Sequence, residues 1–100
     1  MGAFHFAFER HVPLAAAEMS LHLAMFAVEG LVGQVRVRMG VRYVLDEDEQ
    51  AIVIDGGRVG QMVARVFAGL LLREFGEDAF RMRPDVPFPD HLEQENSVPA

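Results

Sequence analysis

The stretch QVRVRMGVRYVLDEDEQAIVID, residues 34–55, decides how this chain folds. In its first half Val35, Val37, Met39, Val41, Tyr43 and Leu45 alternate with Gln34, Arg36, Arg38, Gly40, Arg42 and Val44. Strict alternation marks a half-buried strand, because successive side chains of a strand point to opposite faces. The reading is one strand over 34–45, with Gly40 an outward position left bare, since a bulge would interrupt the alternation. DEDE at Asp46 to Glu49 then makes a polar turn, and AIVID at Ala51 to Asp55 is the strand that pairs back as a hairpin.

Working upstream, Phe4, Phe6 and Phe8 alternate with His5, Ala7 and Glu9 as a first strand, and Pro13 suits the first turn of a helix reaching about Leu31. Downstream, DGG at Asp55 to Gly57 turns the chain into a helix over 58–75 that Gly76 ends. AFRMR at Ala79 to Arg83 is a last short strand, which Pro84, Pro87 and Pro89 are expected to stop. The order βαββαβ predicts an α+β, ferredoxin-like fold. Its sheet would be antiparallel and four-stranded, with the first and third strands central and two helices on one face. Residues 1–83 would form this domain, and 84–100 an acidic, proline-containing tail expected to be mobile. Rows of small residues, Ala16, Ser20 and Ala24 on one helix and Gly60, Ala64 and Ala68 on the other, would let the helices approach closely.

A chain of 100 residues has room for one hydrophobic core. The absence of cysteine excludes disulfides, thiolate metal sites and thiol nucleophiles. The start of the chain shows neither a basic leader nor a small-residue cleavage pattern, so the expectation is a cytoplasmic protein. The apolar run Leu14 to Val32 contains Glu18, His22 and Glu29, which argues against a membrane span. The net charge of −6 opposes general attraction to nucleic acid. All nine Lys/Arg-type residues are arginine, however, and every charged residue after Pro84 is an acid.

With the phenylalanine and valine faces beneath the helices, Arg36, Arg38, Arg42, Arg81 and Arg83 would share the open sheet face with His5, around an apolar centre of Ala7, Ala51 and Val53. That surface could be solvated, covered by a second copy of the chain, or used to hold an anionic small molecule. It lacks the aromatic platform of single-strand RNA readers, because the aromatic residues of the first strand are committed to the core.

The first helix points to self-association by another route. It carries Leu14, Leu21 and Val28 on one side and Met19, Leu23 and Phe26 on another, whereas a helix resting on a sheet needs one apolar stripe. The competing cover is the second helix and the tail, through Val86 and Phe88. For acid–base chemistry the candidates are His5 and the pair Glu18 and His22 one helical turn apart, with His11 and Glu29 as possible helpers. Nothing calls for a metal or a cofactor. DGGRVG at Asp55 to Gly60 lacks the lysine and the full glycine pattern of nucleotide loops, and reads as an aspartate cap with a glycine turn. The expectation is therefore a small self-associating module, most simply a homodimer, with an anionic metabolite on the arginine face. The alternatives are a dimeric enzyme with a histidine acid–base residue in a pocket, and nucleic-acid binding through the arginines.

Overall fold

The computed structural model describes residues 2–89. Its elements are β1 (Ala3–Phe8), α1 (Leu14–Val32), α2 (Gln34–Gly40), β2 (Arg42–Asp46), β3 (Ala51–Asp55), α3 (Gly57–Phe75), a 3-10 turn (Glu77–Ala79) and β4 (Phe80–Val86). The four strands form one antiparallel sheet in the order β2-β3-β1-β4, so β1 and β3 are central.

The register sorts the side chains into two faces, since residues directly opposite on neighbouring strands share a side. Phe6 lies opposite Ile52 and Met82, and Phe4 opposite Ile54, which in turn faces Tyr43. This face forms the main core with Leu21, Ala24 and Val28 of α1 and Val63, Phe67 and Leu71 of α3, all buried. The Phe6 and Phe67 rings meet edge to face, with centroids 4.8 Å apart. Such aromatic pairs add to what burial alone contributes.

The principal departure from the sequence reading is in 34–45. Gln34–Gly40, with Arg36 and Arg38, is a helix, and the strand occupies only Arg42–Asp46. Length supplies the physical reason. Twelve extended residues span about 40 Å at roughly 3.3 Å each, more than the 33 Å longest dimension of the molecule. The partner strand β3 has five residues, all paired with Arg42–Asp46, so an extended 34–41 would hold backbone groups with no ladder to join. Gly33, at φ 100°, ends α1 and lets the chain start a second helix. Within α2 only Val37 is buried, and Val41, one turn later, donates its N–H to the Val37 carbonyl at 3.0 Å. Val35 and Met39, the other members of the alternating set, face solvent.

Three smaller corrections follow. Among the described residues there are three α-helices rather than two. Asp55 does not cap α3, whose N-cap position is Gly56 without a side-chain hydrogen bond; the Asp55 carboxylate accepts from Gly56 N–H at 2.8 Å and pairs with Arg42. The glycines here serve close approach. At Gly56, φ 144°, a Cβ would lie 2.5 Å from the Gly40 carbonyl oxygen, and at Gly60 it would lie 2.9 Å from the Asp55 carbonyl carbon. Glycine therefore lets the start of α3 nest between the end of α2 and the end of β3.

Finally, Pro84 does not end β4, which continues to Val86. An edge strand tolerates proline because one row of its backbone groups needs no partner. Between His5/Arg83 and Ala3/Val86 the register shifts, with Asp85 at φ 63°, and the Asp85 carboxylate accepts a hydrogen bond from Gly2 N–H at 2.8 Å. β4 thus passes the boundary expected at 83; residues 90–100 of the expected tail lie outside the described residues.

Candidate functional site

The arginines do not form one surface. Arg36 and Arg38 are exposed on α2, and the Arg38 Nε is 4.0 Å from the Glu29 carboxylate. Arg42 does lie on the open sheet face, but its guanidinium is 3.1 Å from the Asp55 carboxylate and 4.2 Å from the centroid of the Phe88 ring. Arg81 and Arg83, opposite Ala7 and His5, line the far edge of the same face on β4. Three arginines therefore stay with the sheet and two leave it, because the segment carrying them is helical.

The open face is itself partly covered. Ala3, Val44 and Val53 are buried there as a second small core, against which Val86 and Phe88 pack. Val86 and Phe88 therefore do not screen α1. That helix buries Ala17, Ser20, Leu21, Ala24 and Val28 inward, and leaves Met19 at 66%, Leu23 at 59% and Phe26 at 72% exposed. At about 100° per residue, Ala15, Met19, Leu23, Phe26, Ala27 and Gly30 fall in one arc of about 120° on α1, and all six are exposed. By length and composition α1 is apolar enough to cross a bilayer, which follows from having two apolar sides.

Beside this arc Glu18, His22 and Tyr43 form a polar cluster. The Tyr43 hydroxyl donates to the Glu18 carboxylate at 3.1 Å and lies 2.8 Å from His22 Nε2; His22 Nε2 and the Glu18 carboxylate are 3.7 Å apart. Burial, then the Glu18 charge and the hydrogen bond to it, push the Tyr43 phenol up to about 12. The Glu18–His22 pair was visible in the sequence as an i, i+4 spacing. Tyr43, brought in by β2, had no sequence signal beyond its inward register.

His5 lies elsewhere, on the open face of β1. It lines a cavity of about 350 Å³ together with Asp46, Glu49, Arg83, Val53 and Val86, with Pro87 and Pro89 completing the wall. Its side chain is largely buried, its Nε2 is 3.9 Å from the Glu49 carboxylate, and its buried Nδ1 has no hydrogen-bond partner among the described residues. His11 is exposed. Among the described residues no group of three or more His, Asp or Glu is placed to share a metal ion. Sequence reasoning missed Asp46 and Glu49 as site residues, reading them as a solvated turn; only the fold of the hairpin beside β1 brings them to His5. Comparison with protein-family models, with curated proteins and with solved structures finds no match to this chain.

Proposed function

We propose that this protein is a self-associating module, in which two copies pair through the outer face of α1, on a ferredoxin-like domain that carries α2 as an inserted turn. The central placement of β1 and β3, with α1 and α3 on one face, supports the domain reading. One observation carries the association: Met19, Leu23 and Phe26 form an exposed stripe on a helix whose opposite side is locked into the core. Contiguous exposed apolar surface of this kind marks an interaction site.

The occupant is a second copy. Large side chains on the arc alternate with the exposed small residues Ala15, Ala27 and Gly30, so the surface complements itself when two such helices cross about a twofold axis. A bilayer is a poorer fit, because Glu18, His22 and Glu29 border the arc and would be carried into it. Leu31, Val35 and Met39, also exposed, extend the apolar surface available at the C-terminal end of α1 and on α2. Anion binding by a row of five arginines loses its support with Arg36 and Arg38 on α2.

Light scattering coupled to size exclusion tests the proposal. The wild-type chain should run as a dimer, and Leu23→Glu or Phe26→Glu should convert it to a monomer with its thermal unfolding little changed, since neither side chain enters the core. A wild-type chain that stays monomeric at the highest soluble concentration overturns it.

A further inference from the structure

We propose that the cavity between His5, Arg83 and the Asp46–Glu49 turn is a binding site for a small zwitterion, a molecule of amino-acid size bearing one ammonium and one carboxylate group. β4 lies on one side of β1, and β3 and β2 lie on the other. Arg83 therefore stands on one flank of His5, and Asp46 and Glu49 stand on the opposite flank, around the same cavity. The site is electrically polarised, with a cation at one end and two carboxylates at the other.

This polarity selects among ligands. A phosphorylated or dicarboxylic anion would meet Arg83 favourably and Asp46 and Glu49 unfavourably; a diamine would meet the reverse. A neutral apolar molecule would take water from charged groups without replacing it, at a cost of kilocalories. A zwitterion offers its carboxylate to the Arg83 guanidinium and its ammonium to Asp46 and Glu49, and so satisfies both ends. Val53 and Val86 supply an apolar wall for a side chain. The volume of about 350 Å³ is at the small end of ligand pockets, suited to a metabolite and too small for a nucleotide with its phosphates.

His5 adds an independent observation. Its Nε2 lies 3.9 Å from the Glu49 carboxylate, and its buried Nδ1 has no hydrogen-bond partner among the described residues. Buried polar atoms left unpaired are rare and costly. A polar group of the ligand, reached by a turn of the ring, would supply the missing partner.

The test uses the whole 100-residue chain, isotopically labelled, with nuclear magnetic resonance signals of the His5 ring and of the backbone followed during titration with free amino acids, first pooled and then singly. At least one should move the signals of His5 and Arg83 saturably. Its N-acetyl and carboxamide derivatives should each bind about tenfold or more weakly, the worth of one charge-assisted hydrogen bond. Arg83→Gln and Glu49→Gln should do the same, and both sit at exposed positions where folding is readily checked by thermal melting. The blocked ligands probe the same charges on an unaltered chain. The proposal is overturned if no amino acid moves the His5 signals at millimolar concentration. It is equally overturned if the blocked derivatives or inorganic phosphate move them as strongly. Failure of dimerisation would leave this site untouched, since α1 does not line it.

Discussion

Tyr43 is the protein's single tyrosine, and its surroundings can be read directly by titrating it. Its ordinary value is about 10; in the fold, burial and the Glu18 carboxylate raise it to about 12. The folded chain thus holds the phenol proton more tightly than the unfolded chain does. The stability this contributes is fully present below about pH 10 and is lost as pH rises towards about 12. Phenolate absorbance should show a native midpoint near 12 and, in denaturant, one near 10. Glu18→Gln should lower the native midpoint, because it removes the charge while leaving a group that can accept the hydrogen bond. A native midpoint at the denatured value would mean that Tyr43 does not pack against α1. The sequence had placed Tyr43 on the inward face, and that is where it lies, but its partners are 21 and 25 residues away in the chain. Local spacing finds Glu18 with His22 and cannot find a third member supplied by another element.

At the scale of elements, residues 34–40 distinguish helix from strand by a mutational pattern. In α2 Val37 is buried and Val35 and Met39 are exposed, whereas in an alternating strand the three would share one environment. Val37→Ala should cost about 2 kcal/mol in urea unfolding. Val35→Ala and Met39→Ala should each change stability by no more than about 0.5 kcal/mol in the monomer. Equal losses at all three positions would restore the strand. Four other elements were legible: β1 from its alternating phenylalanines, α1 from Pro13, α3 from the DGG turn and Gly76, and β3 as the strand that follows the DEDE turn. In β2 the inward set, Tyr43 and Leu45, and the outward set, Arg42 and Val44, were also readable, since alternation does hold from Arg42 onward. It fails before Val41 because a five-residue partner cannot pair with twelve.

For the molecule as a whole, Val86 and Phe88 turn a sheet with one open face into a sheet with a covered corner. Phe88 reaches across the sheet to the Arg42 guanidinium and to the cluster of Ala3, Val44 and Val53. The ring is half-buried, so Phe88→Ala should cost about 1–2 kcal/mol, less than for a fully buried phenylalanine. Chemical denaturation checks this, and an unchanged midpoint would mean that the segment does not lie on the sheet in solution. The two proposed surfaces are on opposite sides of the molecule, α1 over one sheet face and the cavity on the other. Loss of one should leave the other intact.

By itself the sequence determined the class of fold and the sidedness of the central strands, because burial of phenylalanine, isoleucine and valine has the period of the backbone that carries them. It also determined that α1 has more apolar surface than a sheet can cover. The tertiary structure alone decided that 34–40 coils into a helix, that Pro84 continues an edge strand, and that Asp46, Glu49, His5 and Arg83 meet around one cavity. Each of these depends on the length, edge or position of a partner distant in sequence, and that information is absent from the residues of the segment itself.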